Sequence, residues 1–374
     1  MDVSGIVAAW PSTREKAATL SAADNDESEP YKTKYEAQRI LTDYCAIAEV
    51  ALVAGGETAA VKDVLAQARL IQGVIHIQTE ENSAGEASLL QGVEWVKERL
   101  LGELLGSADA PDVTVVEASC TAVEGCNYLA LIYSGWDEPG RSLKYLRLAK
   151  AVFSAVARRL RSVSGDASDP SSPLRAAART LDSLYTHVLF YYAQIYGKLG
   201  ATAVAAGYIE LTLLRQLREG SRGGGLDRTE WARNAMRISE FHRSRPRGWS
   251  AAAMCLAAAD VVVAHACAES PDGAPEAAAA GDAGWWRKLP EALQRLLAES
   301  ALHWAQIYAG VLGEARDERL LAAAGRAEEA ATARRQPVSR FGPTLLPCNT
   351  PWVRPAPCAT AVLAPKVKPE LEQD

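Results

Sequence analysis

LYTHVLFYYAQIYGKLGATAVAAGYIELTLLRQL, residues 184–217, decides the fold. Leu189, Tyr192, Ala193 and Tyr196 recur at three- and four-residue steps, which gathers them on one face of an α-helix. Ala205 and Ile209 then mark the inner face of a second helix. A small residue followed three places later by an aromatic suits two helices that approach closely at the small one, with the ring filling the next layer. Helix, tight turn, helix is the unit that this spacing predicts.

Weaker copies flank it. Upstream, Tyr128, Ala130 and Tyr133 precede Ser142, Leu146 and Ala149; downstream, Trp231, Ile238 and Phe241 precede Ser250, Met254 and Ala257. A further first helix carries Trp304, Ala305 and Tyr308. These sets have the form of tetratricopeptide repeats, although their spacing is uneven and exceeds the usual period of about 34 residues, so inserts must interrupt them. An irregular helical bundle is the alternative. Abundant alanine and an aromatic content of 7% also favour an all-α chain.

Outward from the repeats, residues 1–30 end in SAADNDESEP and are expected to be a disordered acidic terminus or a short frayed helix. Helix-pair repeats are expected over 31–163, a linker over 164–173, tetratricopeptide-like pairs over 174–335 with a low-complexity insert at 270–284, and a Pro-rich disordered tail over 336–374. Ser83 and Glu86 have the spacing of a capping box, and Asp112 is placed to cap the helix that follows.

A net charge of -6 argues against nucleic-acid binding, which needs a basic surplus, and suits a partner with a basic surface. Seven cysteines without a CxxC pattern read as reduced and cytoplasmic, and the first ten residues lack the pattern of a secretory leader. The most membrane-like stretch, 251–268, is largely alanine and carries Asp260 and His265, so no membrane insertion is expected. The five histidines form no HExxH pattern; GxSxG is absent; Gly223–Gly225 lack the Lys-Ser/Thr of a phosphate loop. The chain therefore reads as a binding protein without catalytic residues, cofactor, metal or small-molecule substrate.

IQTEENSAGEASLL (77–90) closely resembles a signature of the kinesin-binding protein family, in which a TEE-x-SAGE run opens a long helix. CNYLALIYSGWDEPGRSLKYLRLAKAVF (126–153), the 184–217 stretch and TEWARNAMRISEF (229–241) agree with it in order. The resemblance spans roughly 31–342 and is taken to be to the amino-terminal portion of the family. It implies a right-handed α-solenoid of antiparallel helix pairs that grips kinesin motor domains, keeps them off microtubules and so regulates microtubule-based transport, in the cytoplasm and associated with the cytoskeleton. The family's fold continues beyond the point where this chain turns Pro-rich.

In such a repeat the groove-facing positions of the first helix would be His187, Phe190, Gln194 and Lys198 in the best copy, Glu124 and Asn127 in the one before, and His242 and Arg243 in the one after. Phe190 reads equally as an interface anchor or as core; Tyr192, Ala193 and Tyr196 read as packing. Glu86 reads as a helix cap, and Glu80 and Glu81 as turn residues that could alternatively meet basic loops on a motor. The rival reading is a generic tetratricopeptide adaptor or scaffold that binds peptide tails, with Asn127 and Lys198 clamping a carboxylate.

Overall fold

The computed structural model describes residues 3–25, 27–54, 59–106, 109, 111–161, 172–220, 226–245, 249–269 and 285–323. Regular structure among them is helical, with no strand. Two compact units divide at Gln216 and Leu217. The expected linker at 164–171, the insert at 270–284 and the tail at 336–374 lie outside the described residues, while Pro173 opens a helix.

In the first unit, α1 (Val3–Ala22) is a regular helix, in place of the disordered terminus or short frayed helix expected there. The acidic run lies after Ser21, whereas Ile6, Trp10 and Ala17 share a helical face and are buried. That face packs on α2 (Lys32–Val53): the Trp10 and Tyr44 rings lie 5.4 Å apart, and the Tyr44 hydroxyl donates to the Ile6 carbonyl at 3.0 Å.

Three helix pairs follow, each joined by a tight turn, and all but the end of the last helix, from Leu217 on, belongs to this unit. They are α3 (Ala59–Gln78) with α4 (Asn82–Trp95), α6 (Val113–Gly135) with α7 (Pro139–Arg161), and α8 (Pro173–Lys198) with α9 (Thr202–Gly220). Between α4 and α6, a π-helical turn (Val96–Leu100) leads into α5 (Leu101–Gly106) and keeps Val96 and Leu100 buried. Asp112 caps α6 as its sequence position predicts, accepting the Val115 N–H at 2.8 Å.

The three inter-helix turns share one geometry. Glu80, Asp137 and Gly200 have φ of 66, 59 and 74°, the left-handed region. In each turn the next N–H reaches back to a carbonyl of the preceding helix: Glu81 to His76 at 2.8 Å, Glu138 to Tyr133 at 2.8 Å, Ala201 to Tyr196 at 2.9 Å. This is the Schellman closure, which satisfies carbonyls that a helix end otherwise leaves unpaired.

Small residues set how closely the helices of a pair approach. A methyl added at Gly73 would stand 2.9 Å from the Gly85 carbonyl oxygen, and one at Gly92 would stand 2.9 Å from that of Ala66. A methyl at Gly85 of the TEENSAGE stretch would likewise stand 2.6 Å from Ile77 Cγ1 and 3.0 Å from the Gly73 carbonyl oxygen, so the α3–α4 crossing favours glycine there as well. At the α6–α7 crossing the buried Ser142 hydroxyl donates to the Ala130 carbonyl at 2.6 Å. Ala130, Tyr133, Leu146 and Ala149 are all sealed from solvent, as their repeat positions predict.

α6 and α8 lie side by side in parallel. Along the seam, Cys120 faces the Ala177 carbonyl at 3.5 Å, Asn127 donates to that of Leu184 at 3.1 Å, and Lys198 donates to that of Ser134 at 2.7 Å. α7 packs against both.

The second unit pairs α10 (Arg228–Arg243) with α11 (Trp249–Ala268) and sets α12 (Glu291–Ala323) against both, after a 3₁₀ turn at Trp285–Lys288. The Ser239 hydroxyl donates to the Ala252 carbonyl at 2.7 Å, repeating the device of Ser142. The sequence register is corrected here at two places. Met254 is 51% exposed while Leu256 is buried, and Ala305 is exposed while Trp304 and Ile307 are buried. In the 251–268 helix, Asp260 accepts the Trp304 indole N–H at 2.5 Å and the Ser300 hydroxyl. Among the described residues no helix is long and apolar enough to cross a membrane.

Candidate protein-binding face

α8 sorts its side chains in two. Tyr192, Ala193 and Ile195 are buried, and Tyr192 stacks on Tyr208 of α9 at 4.8 Å, while His187, Phe190, Gln194 and Lys198 are exposed along the other side. Phe190 is 44% exposed, so it is a surface aromatic rather than core. Lys198 is exposed but engaged, its ammonium donating to the Ser134 carbonyl and hydroxyl at 2.7 and 2.9 Å. It ties the end of α8 to the end of α6.

On α6 the two expected groove residues differ. Asn127 is only 4% exposed and belongs to the helix seam: its amide donates to the Leu184 carbonyl, and its own Oδ1 is buried with no donor among the described residues. The expectation that it faces a partner is corrected, because a polar side chain beside a parallel helix finds a backbone carbonyl there. Glu124, one turn earlier, is partly exposed at the surface of the same seam. Burial pushes its carboxyl above the usual carboxylate range, and among the described residues no hydrogen bond or ion pair offsets this.

Three further residues complete this surface: Tyr128, read from the sequence as a repeat position, and Leu131 and Tyr191, which that reading did not single out. Tyr128 and Leu131 continue the Glu124 side of α6 one and two turns on. Leu131 is 41% exposed, and the Tyr128 hydroxyl accepts from the Gln78 amide at 2.9 Å. Tyr191 of α8 is half-buried near Tyr128. The i+4 and i+7 positions counted from Glu124 were the available signal. The α6–α8 surface therefore offers an unpaired carboxylate, an exposed phenylalanine and adjacent tyrosines, the mixture by which protein interfaces anchor.

His242 and Arg243 end α10 in the second unit, both half-buried; Arg243 pairs with Glu240 at 3.5 Å, and His242 lies edge-on to Phe241 at 5.5 Å. Glu80 occupies the left-handed turn position and accepts the Tyr31 hydroxyl at 3.3 Å. Glu81 is partly exposed and accepts from His76 Nδ1 at 2.5 Å and the Gln38 amide at 3.2 Å, so it braces the α3–α4 turn.

Glu86 does not cap its helix. α4 begins at Asn82, its cap position is Glu81 and no side chain closes the end. Glu86 instead reaches α6 and α7, accepting the hydroxyl of the fully buried Tyr133 and pairing with Arg141 at 3.4 Å. The Arg141 guanidinium also lies over the Tyr133 ring at 3.9 Å, so the TEENSAGE stretch is locked to the next helix pair.

The free cysteines of the first unit are poor nucleophiles. Burial pushes Cys45 up to about 11 and Cys120 and Cys126 up to about 12.

Residues 229–341 match the family model described as KIF-1 binding protein C terminal. Curated relatives named KIF-binding protein include that of Gallus gallus, 29% identical over 273 residues, covering 69% of this chain and 42% of the relative. That of Danio rerio is 27% identical over 339 residues, covering 81% and 50%, and that of Drosophila melanogaster is 28% identical over 199 residues, covering 52% and 30%. The chain is thus related to the KIF-binding proteins, and it spans about half or less of the length of these relatives. Beside the amino-terminal resemblance read from the sequence stands a match to a model described as C-terminal. No solved structure matches.

Proposed function

We propose, from this kinship with the KIF-binding proteins, that the chain binds kinesin motor domains and keeps them from microtubules, and thereby regulates microtubule-based transport. The single observation that carries the reading is the shared name of its relatives across vertebrates and Drosophila. Physical chemistry supports it: a motor's track-facing surface is basic because the microtubule is acidic, and a chain of net charge -6 attracts such a surface over distance. The pairs are read as tetratricopeptide-like repeats of a right-handed solenoid whose first helices present the contact residues. On α6 and α8 these are Glu124, His187, Phe190 and Gln194, with Tyr128, Leu131 and Tyr191 beside them; His242, Arg243 and the exposed Glu80 serve as further contacts. The chain acts by binding, with no catalytic step, in the cytoplasm at the cytoskeleton.

The generic adaptor reading is less well supported, because Asn127 and Lys198, the residues of its carboxylate clamp, are already spent on Leu184 and Ser134. The deciding experiment is co-sedimentation of a panel of kinesin motor domains with microtubules, with and without the purified chain, at two salt concentrations. Motors leaving the pellet, less so at high salt, is the expected result. A folded chain that moves none of them refutes the reading.

A further inference from the structure

α7 carries no acidic residue anywhere along PGRSLKYLRLAKAVFSAVARRLR. Two of its cations are accounted for: Arg141 pairs with Glu86 and Glu138, and the buried Arg159 donates to the Asp109 carbonyl. Lys144, Arg147, Arg158 and Arg161 are exposed and Lys150 half-exposed, and none has a carboxylate partner among the described residues. Their spacing sets them along one outer stripe of the helix, with only Ala151 and Ser154 between the two basic ends. The opposite side of α7, including Tyr145, Leu146 and Val152, is buried in the core of the unit.

Stability does not explain this stripe. Cations in the last turn favour the helix dipole, which accounts for Arg158 and Arg161, but Lys144, Arg147 and Lys150 lie in the middle turns of the helix, where the dipole gives them no support. Like charges three apart, as at Lys144, Arg147 and Lys150, also repel along a helix. A local arrangement that costs stability, in a chain that is acidic overall, marks a surface kept for binding.

We propose that the outer stripe of α7 docks an acidic polypeptide segment. Charge complementarity sets the sign of the partner. Bases would need aromatic platforms, and the stripe exposes none; a bilayer would need an apolar face to enter it, and that of α7 is already buried. From Lys144 to Arg161 the helix rises about 26 Å, enough for roughly eight residues of extended chain. The gap at Ala151 and Ser154 lets such a segment lie close to the helix backbone.

The test uses the full chain and a fluorescein-labelled peptide of alternating glutamate and serine, followed by anisotropy at low and raised salt and checked against the glutamine version. Neutralising four cations, Lys144→Gln, Arg147→Gln, Arg158→Gln and Arg161→Gln, is expected to weaken binding about tenfold or more, the combined effect of four exposed pairs. A control variant with Lys16→Gln, Arg39→Gln, Arg237→Gln and Arg295→Gln removes the same charge elsewhere and is expected to bind nearly as wild type. Both variants are confirmed as folded by circular dichroism. Equal losses in both, equal binding of the glutamine peptide, or tighter binding of phosphatidylserine vesicles or oligouridine would overturn the proposal. No motor takes part, so this outcome is independent of the kinesin reading.

Discussion

Replacing Gly92 by alanine tests whether close helix approach, rather than helix propensity, governs the α3–α4 pair. The new methyl would meet Leu70 Cγ at 2.5 Å, Leu70 Cδ2 at 2.8 Å and the Ala66 carbonyl oxygen at 2.9 Å. Leu70 is wholly buried and has nowhere to move, and the carbonyl belongs to a helix backbone. Forcing a methyl into such a site costs about 2–3 kcal/mol. Alanine restores about 1 kcal/mol of helix propensity, so the net loss is about 1–2 kcal/mol, a fall in midpoint of about 2–8 °C for a unit of this size. Gly207 of α9 is the counterpart: nothing lies within 4 Å of a methyl there. Gly207→Ala therefore gains about 1 kcal/mol of propensity unopposed, raising the midpoint by about 2–4 °C. Thermal melts followed by circular dichroism read both. If Gly92→Ala rises along with Gly207→Ala, the close-approach reasoning is wrong.

Glu124→Gln bears on pH. The Glu124 carboxyl is raised in the folded state by burial, so its contribution to stability is complete at low pH and is lost as pH rises through the folded value. The variant should be more stable than wild type at neutral pH, with the difference closing on acidification below the ordinary carboxylate range; urea titrations at several pH values measure it. Glu86→Ala removes the acceptor of the buried Tyr133 hydroxyl, a loss of about 1.5–3 kcal/mol, seen as a lower urea midpoint. Phe190→Ala should weaken motor binding about tenfold or more with little change in melting, whereas Ala193→Phe should unfold its helix pair; binding and melting assays on the two variants separate surface from core.

The 184–217 pair was readable because its small and aromatic residues alternate at helical spacing, and the same periodicity put Gln194 opposite Tyr192 while leaving Phe190 open between interface and core. What escaped the sequence was contact between distant segments. Glu86 has the local form of a cap, and only the fold brings Tyr133 to it. Asn127 is polar and sits at a groove position, yet its partner is the Leu184 carbonyl on a helix that sequence alone does not place beside it. α1 was hidden by the acidic run after it, and the register in α11 and α12 slipped because inserts break the spacing from which it was counted.

The recurring turns at Glu80, Asp137 and Gly200 also bear on the order in which the chain assembles. Each closes its two helices over a short loop, so little chain entropy is lost before the first contacts form. The α6–α8 seam instead joins residues 57 to 64 positions apart. Kinetics favour near neighbours over distant ones, so each hairpin is expected to form on its own time and the seam to zip afterwards. During synthesis α3 and α4 can close on each other while α6 is still inside the ribosome.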